Sequence, residues 1–180
     1  MSDSLVIPTR FGRDTLPALV DTAAHVGTVI LVHTEPGHDD HPDAVNLHDY
    51  RRNIHHWWNT GLDACDGPAL VLNDDVTATP DALQNMLDEL RYADLVYAPG
   101  RSRKAMTPIT GWCYGVRSER LRPDPAFVWW YGDDDLYQRA QSRRMVPARI
   151  THLQRDDMGP AAEFAEAVHA DRALYASRWP

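Results

Sequence analysis

The stretch from Leu5 to Val32, LVIPTRFGRDTLPALVDTAAHVGTVILV, decides the fold. Leu5-Val6-Ile7 is a short apolar run ended by Pro8, the pattern of a buried strand. Asp14 follows as an N-cap, and Pro17 falls in the first turn. Leu16, Leu19, Val20 and Ala23 then recur on one helical face, and Gly27 closes the helix. Thr28-Val29-Ile30-Leu31-Val32 is a second apolar run. Strand, helix and strand at this spacing make a βαβ unit, which implies a parallel sheet.

Working outward, residues 34–48 are polar, carry Pro36, Gly37 and Pro42, and read as a loop. A helix is expected from about Asp49 to Ala64, with Ile54, Trp57, Trp58 and Leu62. Ala69-Leu70-Val71-Leu72 is a third buried strand that runs into Asn73-Asp74-Asp75. Thr79 or Pro80 starts a helix through Leu83, Met86, Leu87 and Leu90. Strands are expected at Asp94–Tyr97, Gly111–Arg117 and Val146–Leu153, with an irregular, partly basic stretch at 99–110. The aromatic segment Phe127-Val128-Trp129-Trp130 leads into Gly132-Asp133-Asp134-Asp135 and a helix to about Arg144. Residues 160–178 have helical spacing. The expectation is one α/β domain over 1–155, a mostly parallel sheet flanked by helices, with 156–180 as a helical tail packed on it.

The totals limit the function. With 180 residues the chain fits one domain. A formal net charge of −8 disfavours a protein whose main task is gripping phosphate backbones. Arg101, Arg103 and Lys104 form a short basic cluster. No apolar run approaches the roughly 18 residues a membrane helix needs, and MSDSLVIPTR lacks the character of a signal peptide. The expected location is the cytoplasm. Cys65 and Cys113 form no CxxC pair and read as reduced thiols.

Several groups can carry chemistry. Asn73-Asp74-Asp75 ends an apolar strand, and open α/β sheets bind ligands at the carboxyl ends of their strands. Carboxylates there can hold Mg²⁺ or Mn²⁺ together with substrate phosphates, or can simply cap the next helix. Asp133, Asp134 and Asp135 repel one another unless a cation or helix N-terminus compensates. One of them can serve as a general base; a solvated helix start is the alternative. Trp129, Trp130 and Tyr131 beside them suit a site that stacks on sugar faces. His152 ends a strand as either a metal ligand or a surface histidine. His33, His38, His41, His48, His55 and His56 match no zinc spacing.

In this order the pieces resemble the large inverting family of GT-A glycosyltransferases often called family two. The resemblance runs from about Leu5 to His152. Leu5-Val6-Ile7-Pro8-Thr9-Arg10 is similar to the opening strand. Asn53 to Ala64 resembles the N-x-G-x-x-x-A-x-N-x-G helix. Leu70 to Asp75 stands where the family carries its DxD motif, and Tyr131 to Leu136 followed by Arg139 resembles the ED-x-D-L-x-x-R segment. The resemblance implies a metal-assisted transfer of sugar from a nucleotide-diphosphate-sugar donor to an acceptor hydroxyl. By position it implies Asp133 as base with Asp134 second, and Asp75 and His152 on Mn²⁺ or Mg²⁺. It places Pro8, Thr9, Arg10, Glu35, Asn59, Asn73 and Asp74 toward the donor, and Trp112, Trp129 and Trp130 toward the acceptor.

The chain departs from the pattern in several places. His33-Thr34-Glu35 replaces the usual acidic turn, Asn73 replaces the first DxD carboxylate, and Ile54-His55 replaces the helix-start glycine. The chain is short for the family, so a partner or homo-oligomer would complete the acceptor site. Two other readings stay open: a nucleotidyltransferase, against which the segment Pro8 to Arg13 offers one glycine and no lysine, and a non-catalytic nucleotide-sugar or glycan binding module.

Overall fold

The computed structural model describes residues 3–10, 13–37, 39–99, 107–153 and 164–180. Its elements in chain order are β1 (Ser4–Thr9), α1 (Leu16–Ala24), β2 (Thr28–His33), β3 (Val45–His48), α2 (Ile54–Asp63), β4 (Pro68–Leu72), β5 (Val76–Ala78), α3 (Pro80–Glu89), β6 (Leu95–Tyr97), β7 (Cys113–Arg117), α4 (Gly132–Arg139), β8 (Arg143–Met145), β9 (Ile150–His152) and α5 (Ala165–Arg178). A seven-stranded sheet runs β3-β2-β1-β4-β7-β6-β8. Only β7 is antiparallel to its neighbours, so the expected mostly parallel α/β sheet is present.

The apolar runs follow from burial on both faces of that sheet. Leu5, Ile7, Val29, Leu31, Leu70 and Leu72 pack on one side against α1 and α3. Val6, Ile30, Val32, Ala69 and Val71 pack on the other against Trp57, Trp58 and Leu62 of α2 and Leu136 of α4. α2 lies so close to β1 that a Cβ at Gly61 would stand 2.1 Å from Val6 Cγ1. Val6 is fully buried and β-branched, so it has little room to turn away. Gly61→Ala is therefore expected to cost about 1–3 kcal/mol by overpacking, read from the denaturant midpoint.

Five differences from the expected elements have local causes. α1 starts after Thr15 rather than Asp14. α2 starts at Ile54, because the Asn53 side chain accepts from the His55 and His56 amides and caps it there. β3 falls in the expected loop, β8 overlaps the expected helix end, and no element was expected at β5. β3 is a half-exposed edge strand with alternating polar residues, β5 has only three residues, and all of Arg143-Arg144-Met145 in β8 is exposed. None carries an apolar period that would reveal it.

The helix that ends the chain packs on α4. The Asp171 carboxylate, 1% exposed, accepts the backbone amides of Val128, Trp129 and Trp130 at 2.9, 2.7 and 2.9 Å. No helix among the described residues is long and apolar enough to cross a membrane.

Candidate active site

The parallel strands β1, β2 and β4 end together, and their carboxyl ends gather the first group. Thr9 pairs in register with His33, and Arg10 Nε lies 2.9 Å from Glu35 Oε1. Asn73 donates its amide to the Trp112 carbonyl at 2.9 Å, which fixes the turn after β4. Asp74 and Asp75 follow and are both buried. Asp74 Oδ2 accepts the Thr9 hydroxyl at 3.1 Å and the Arg10 amide at 3.4 Å, and the Asp74 carbonyl accepts the Thr15 hydroxyl at 2.9 Å. Arg13 Nε stands 3.0 Å from Asp74 Oδ1, and its Nη1 stands 3.5 Å from Asp75 Oδ2. Burial raises the Asp74 carboxyl above its ordinary range, and the Asp75 charge adds to this against Arg13 and Thr9.

A two-stranded sheet brings the second member of the expected metal pair into place. β5 pairs antiparallel with β9, Val76 opposite His152, and the Leu153 amide donates to the Asp75 carbonyl at 2.9 Å. His152 Nε2 thereby lies 3.0 Å from Asp75 Oδ1. Residues 77 positions apart in sequence meet through a ladder of three residue pairs. Burial alone would raise Asp75, but the His152 imidazole and Arg13 outweigh it and hold the carboxyl low. Trp112 stacks flat on the His152 ring at 5.3 Å and 3°.

The second carboxylate group begins with a strained residue. Tyr131 has φ +62°, in the left-handed region that a tyrosine rarely adopts. Gly132 follows because nothing larger fits: a Cβ there would stand 1.9 Å from His55 Nε2. His55 is 1% exposed and meets Trp58 edge-on at 4.7 Å. Burial pushes its pKa down to about 4, so it is a neutral packing residue at pH 7.

The three aspartates then diverge in role. Asp134, 3% exposed, accepts the Thr107 amide at 2.8 Å and its hydroxyl at 2.6 Å. Asp135, fully buried, faces Arg139 Nε at 2.7 Å, Trp179 Nε1 at 3.1 Å and Arg178 Nη1 at 3.2 Å. Asp133 has no cation partner among the described residues. Its pKa is raised to about 7, first by burial and then by the Asp134 charge, although the amides of Asp134, Asp133 and Gly111 pull it down. Of the two residues expected as base, Asp133 has the carboxyl raised toward neutrality, while Asp134 holds Thr107.

The two groups share one turn. A Cβ on Gly111 would stand 3.3 Å from Asp133 Oδ2, and the next residue is the Trp112 that covers His152. Gly111 and Trp112 thus separate the Asp133 carboxyl from the Asp75–His152 pair. The other aromatics do not join Trp112. Trp129 stacks on Phe164 at 4.0 Å and meets Trp57 edge-on at 6.3 Å, and Trp130 is fixed through its amide to Asp171. Asn59 Nδ2 donates to the Pro123 carbonyl at 2.9 Å and ties α2 to that loop, and its Oδ1 is buried without a partner among the described residues.

Arg13 and Asp171 were missed in the sequence. Arg13 stands in the quoted segment Pro8 to Arg13, but nothing local marks it as the partner of Asp74. Asp171 lies on a helix with no distinguishing neighbours. Among the described residues, no three or more His, Cys, Asp or Glu side chains gather as a metal cage. His33 instead stacks on His48 at 5.0 Å and contacts Asn46 at 2.9 Å. His38 and the basic cluster at 101–104 lie outside the described residues. Both cysteines are free thiols, and burial raises their pKa values.

No protein-family model matches the chain, and no curated protein does. Solved structures do. S. aureus TarS 1–349 in complex with UDP-GlcNAc superposes with a TM-score of 0.65 at 11% identity, covering 96% of this chain and 66% of that one. The 2-C-methyl-D-erythritol 4-phosphate cytidylyltransferase of Thermus thermophilus gives 0.63 at 13%, covering 98% and 100%. The mannosyl-3-phosphoglycerate synthase of Rubrobacter xylanophilus gives 0.62 at 12%, covering 99% and 73%.

The fold is GT-A-like.

The chain spans 58% and 66% of the length of two TarS 1–349 structures that it matches. Within the GT-A-like frame, the Asp75 turn and Asp133 both lie beyond strands of the main sheet, where such folds place their ligands.

Proposed function

We propose that the chain is a glycosyltransferase. It moves a sugar from a nucleotide-diphosphate-sugar donor to an acceptor hydroxyl, with inversion and with the help of a divalent metal. The observation that carries this reading is Asp133: a carboxyl with a pKa near 7 at the start of α4, one turn away from the Asp75–His152 pair. The neighbouring structures support nucleotide-sugar chemistry, since the TarS structure is a complex with UDP-GlcNAc.

The residues fit a hard or borderline ion. Asp75 Oδ1 is buried and accepts no aligned hydrogen bond among the described residues, and an imidazole nitrogen faces it at 3.0 Å. Oxygen and imidazole donors suit Mn²⁺ or Mg²⁺, and two protein ligands leave positions for diphosphate oxygens. Such an ion, when bound, stabilises charge on the departing diphosphate. Asp133 takes the proton of the acceptor hydroxyl. Pro8, Thr9, Arg10 and Glu35 line the nucleoside side, with Asn73 and Asp74 nearer the sugar. Trp112 is the acceptor-side wall, whereas Trp129 and Trp130 pack away from it against Phe164 and Asp171.

The test is nucleotide release from UDP-, GDP- and dTDP-sugars with Mn²⁺ or with EDTA. Metal-dependent release of free nucleoside diphosphate from one donor supports the proposal. Release of pyrophosphate from a nucleoside triphosphate plus sugar phosphate would replace it with a nucleotidyltransferase, the second reading, which the full-length likeness to the cytidylyltransferase favours. Nucleotide-induced thermal stabilisation with no release from any donor would leave a binding module.

A further inference from the structure

Two adjacent buried carboxylates need positive charge nearby, because their mutual repulsion is poorly screened away from water. Asp74 and Asp75 are 7% and 8% exposed and share one turn. Arg13 reaches both, at 3.0 and 3.5 Å. Both contacts are close but loose: Arg13 Nε is buried and, like Asp75 Oδ1, makes no aligned hydrogen bond among the described residues. A guanidinium on a carboxylate frequently forms two aligned bonds in its fork. Here its Nε stands at 3.0 Å from Asp74 without an aligned bond, and its Nη1 at 3.5 Å from Asp75. Its own side chain is still 37% exposed, so a path outward exists.

We infer that Arg13 is a resident cation of the Asp74–Asp75 turn, which a divalent metal displaces, freeing the guanidinium for the donor diphosphate. This rests on the metal-assisted reading above and adds to it a residue outside the family-like motifs. The turn then never holds two uncompensated charges. Arg13 offsets part of their charge when the metal is absent, and the metal offsets it when it is present. The released guanidinium stays within one side-chain length of the strand ends where the diphosphate must lie. No bond is made or broken in this step: one cation leaves the carboxylates as another arrives.

The test uses Mn²⁺ alone, with free Mn²⁺ counted by electron paramagnetic resonance. Compared are the wild type, Arg13→Gln and Arg13→Lys, with Asp75→Asn as the control for the site. Arg13→Gln removes the competitor and is expected to bind Mn²⁺ roughly 10- to 100-fold tighter at low salt, with the difference shrinking as salt rises. Arg13→Lys keeps the charge and should stay near the wild type. Without metal, in EDTA, Arg13→Gln should melt earlier than the wild type, and Mn²⁺ should restore it. Equal or weaker Mn²⁺ binding by Arg13→Gln overturns the inference, whether or not the wild type turns over a donor. Mn²⁺ binding by neither protein, or unchanged binding in Asp75→Asn, overturns it as well. Tighter binding by Arg13→Gln with no donor released by any form keeps the cation exchange and removes the transferase reading instead.

Discussion

Asparagine in place of Asp133 is expected to slow nucleotide release by about 10²- to 10⁴-fold, the usual contribution of a positioned general base. Water serves as acceptor in that assay, so the acceptor need not be known. Asparagine keeps the shape of the side chain and can still accept from the Asp134 amide, which bonds Asp133 Oδ1 at 3.0 Å. The loss would therefore report proton transfer and not a rearranged turn. Asp134→Asn is the comparison. It weakens the acceptor of the Thr107 amide and hydroxyl, so its effect should appear in stability more than in rate. A wild-type rate in Asp133→Asn would remove Asp133 from the mechanism.

The raised pKa of Asp133 gives the same variant two pH signatures. As a base, Asp133 must be ionised, so kcat/KM for the wild type should rise through an apparent pKa near 7. Because Asp133 and Asp134 interact, that value belongs to the pair. Stability moves the other way. The folded-state pKa lies above the unfolded value of 3.8, so the folded form holds its proton more tightly. The resulting stability is fully present below about pH 4 and is lost as pH rises to about 7. Asp133→Asn lacks this dependence. Its melting temperature should therefore gain on the wild type between about pH 4 and 7, then run parallel to it.

The fold was largely legible because its core strands are buried on both faces. Leu5-Val6-Ile7 and Thr28 to Val32 are continuous apolar runs with no competing period, and the intervening helix shows a clean buried face. The edge strands β3 and β8 were not legible, since an edge needs backbone pairing and no apolar side chains to exist. Asp75 and His152 are brought together, but the agent is the β5–β9 ladder, whose three-residue strands leave no mark in composition. The run Asp133-Asp134-Asp135 shows the limit of a motif. Its residues are adjacent and alike, yet one faces Gly111, one holds Thr107 and one anchors the chain end. Helical geometry turns successive side chains by about 100° each, so neighbours in sequence serve different surroundings. Which surroundings they meet depends on α5, and nothing in the local sequence announces that.

Asp135→Ala is the second large effect, and it should fall on folding. Asp135 is fully buried, and its two oxygens face Arg139, Arg178 and Trp179. Removing one partner of a buried ion pair costs about 3–5 kcal/mol, because the remaining charges lose their compensation. Here Arg139 and Arg178 are each about one third exposed, and Arg178 keeps Asp124 at 2.7 Å. Water and Asp124 therefore soften the loss, and about 3 kcal/mol is expected from the denaturant midpoint. Asp135→Asn should cost less, since it still accepts from the Trp179 indole. The damage should also spread in a defined direction. Arg178 and Trp179 end the element that carries Asp171, and Asp171 holds the amides of residues 128–130 just before the strained Tyr131. Hydrogen exchange should therefore quicken at Val128, Trp129 and Trp130 before it quickens in β1 or β4, as expected of a local opening that leaves the central sheet closed. Uniform loss of protection across the sheet would mean that α5 is part of one cooperative unit with the core. In that case Asp135 would hold up the whole fold, with no separate role in steadying the turn that carries Asp133.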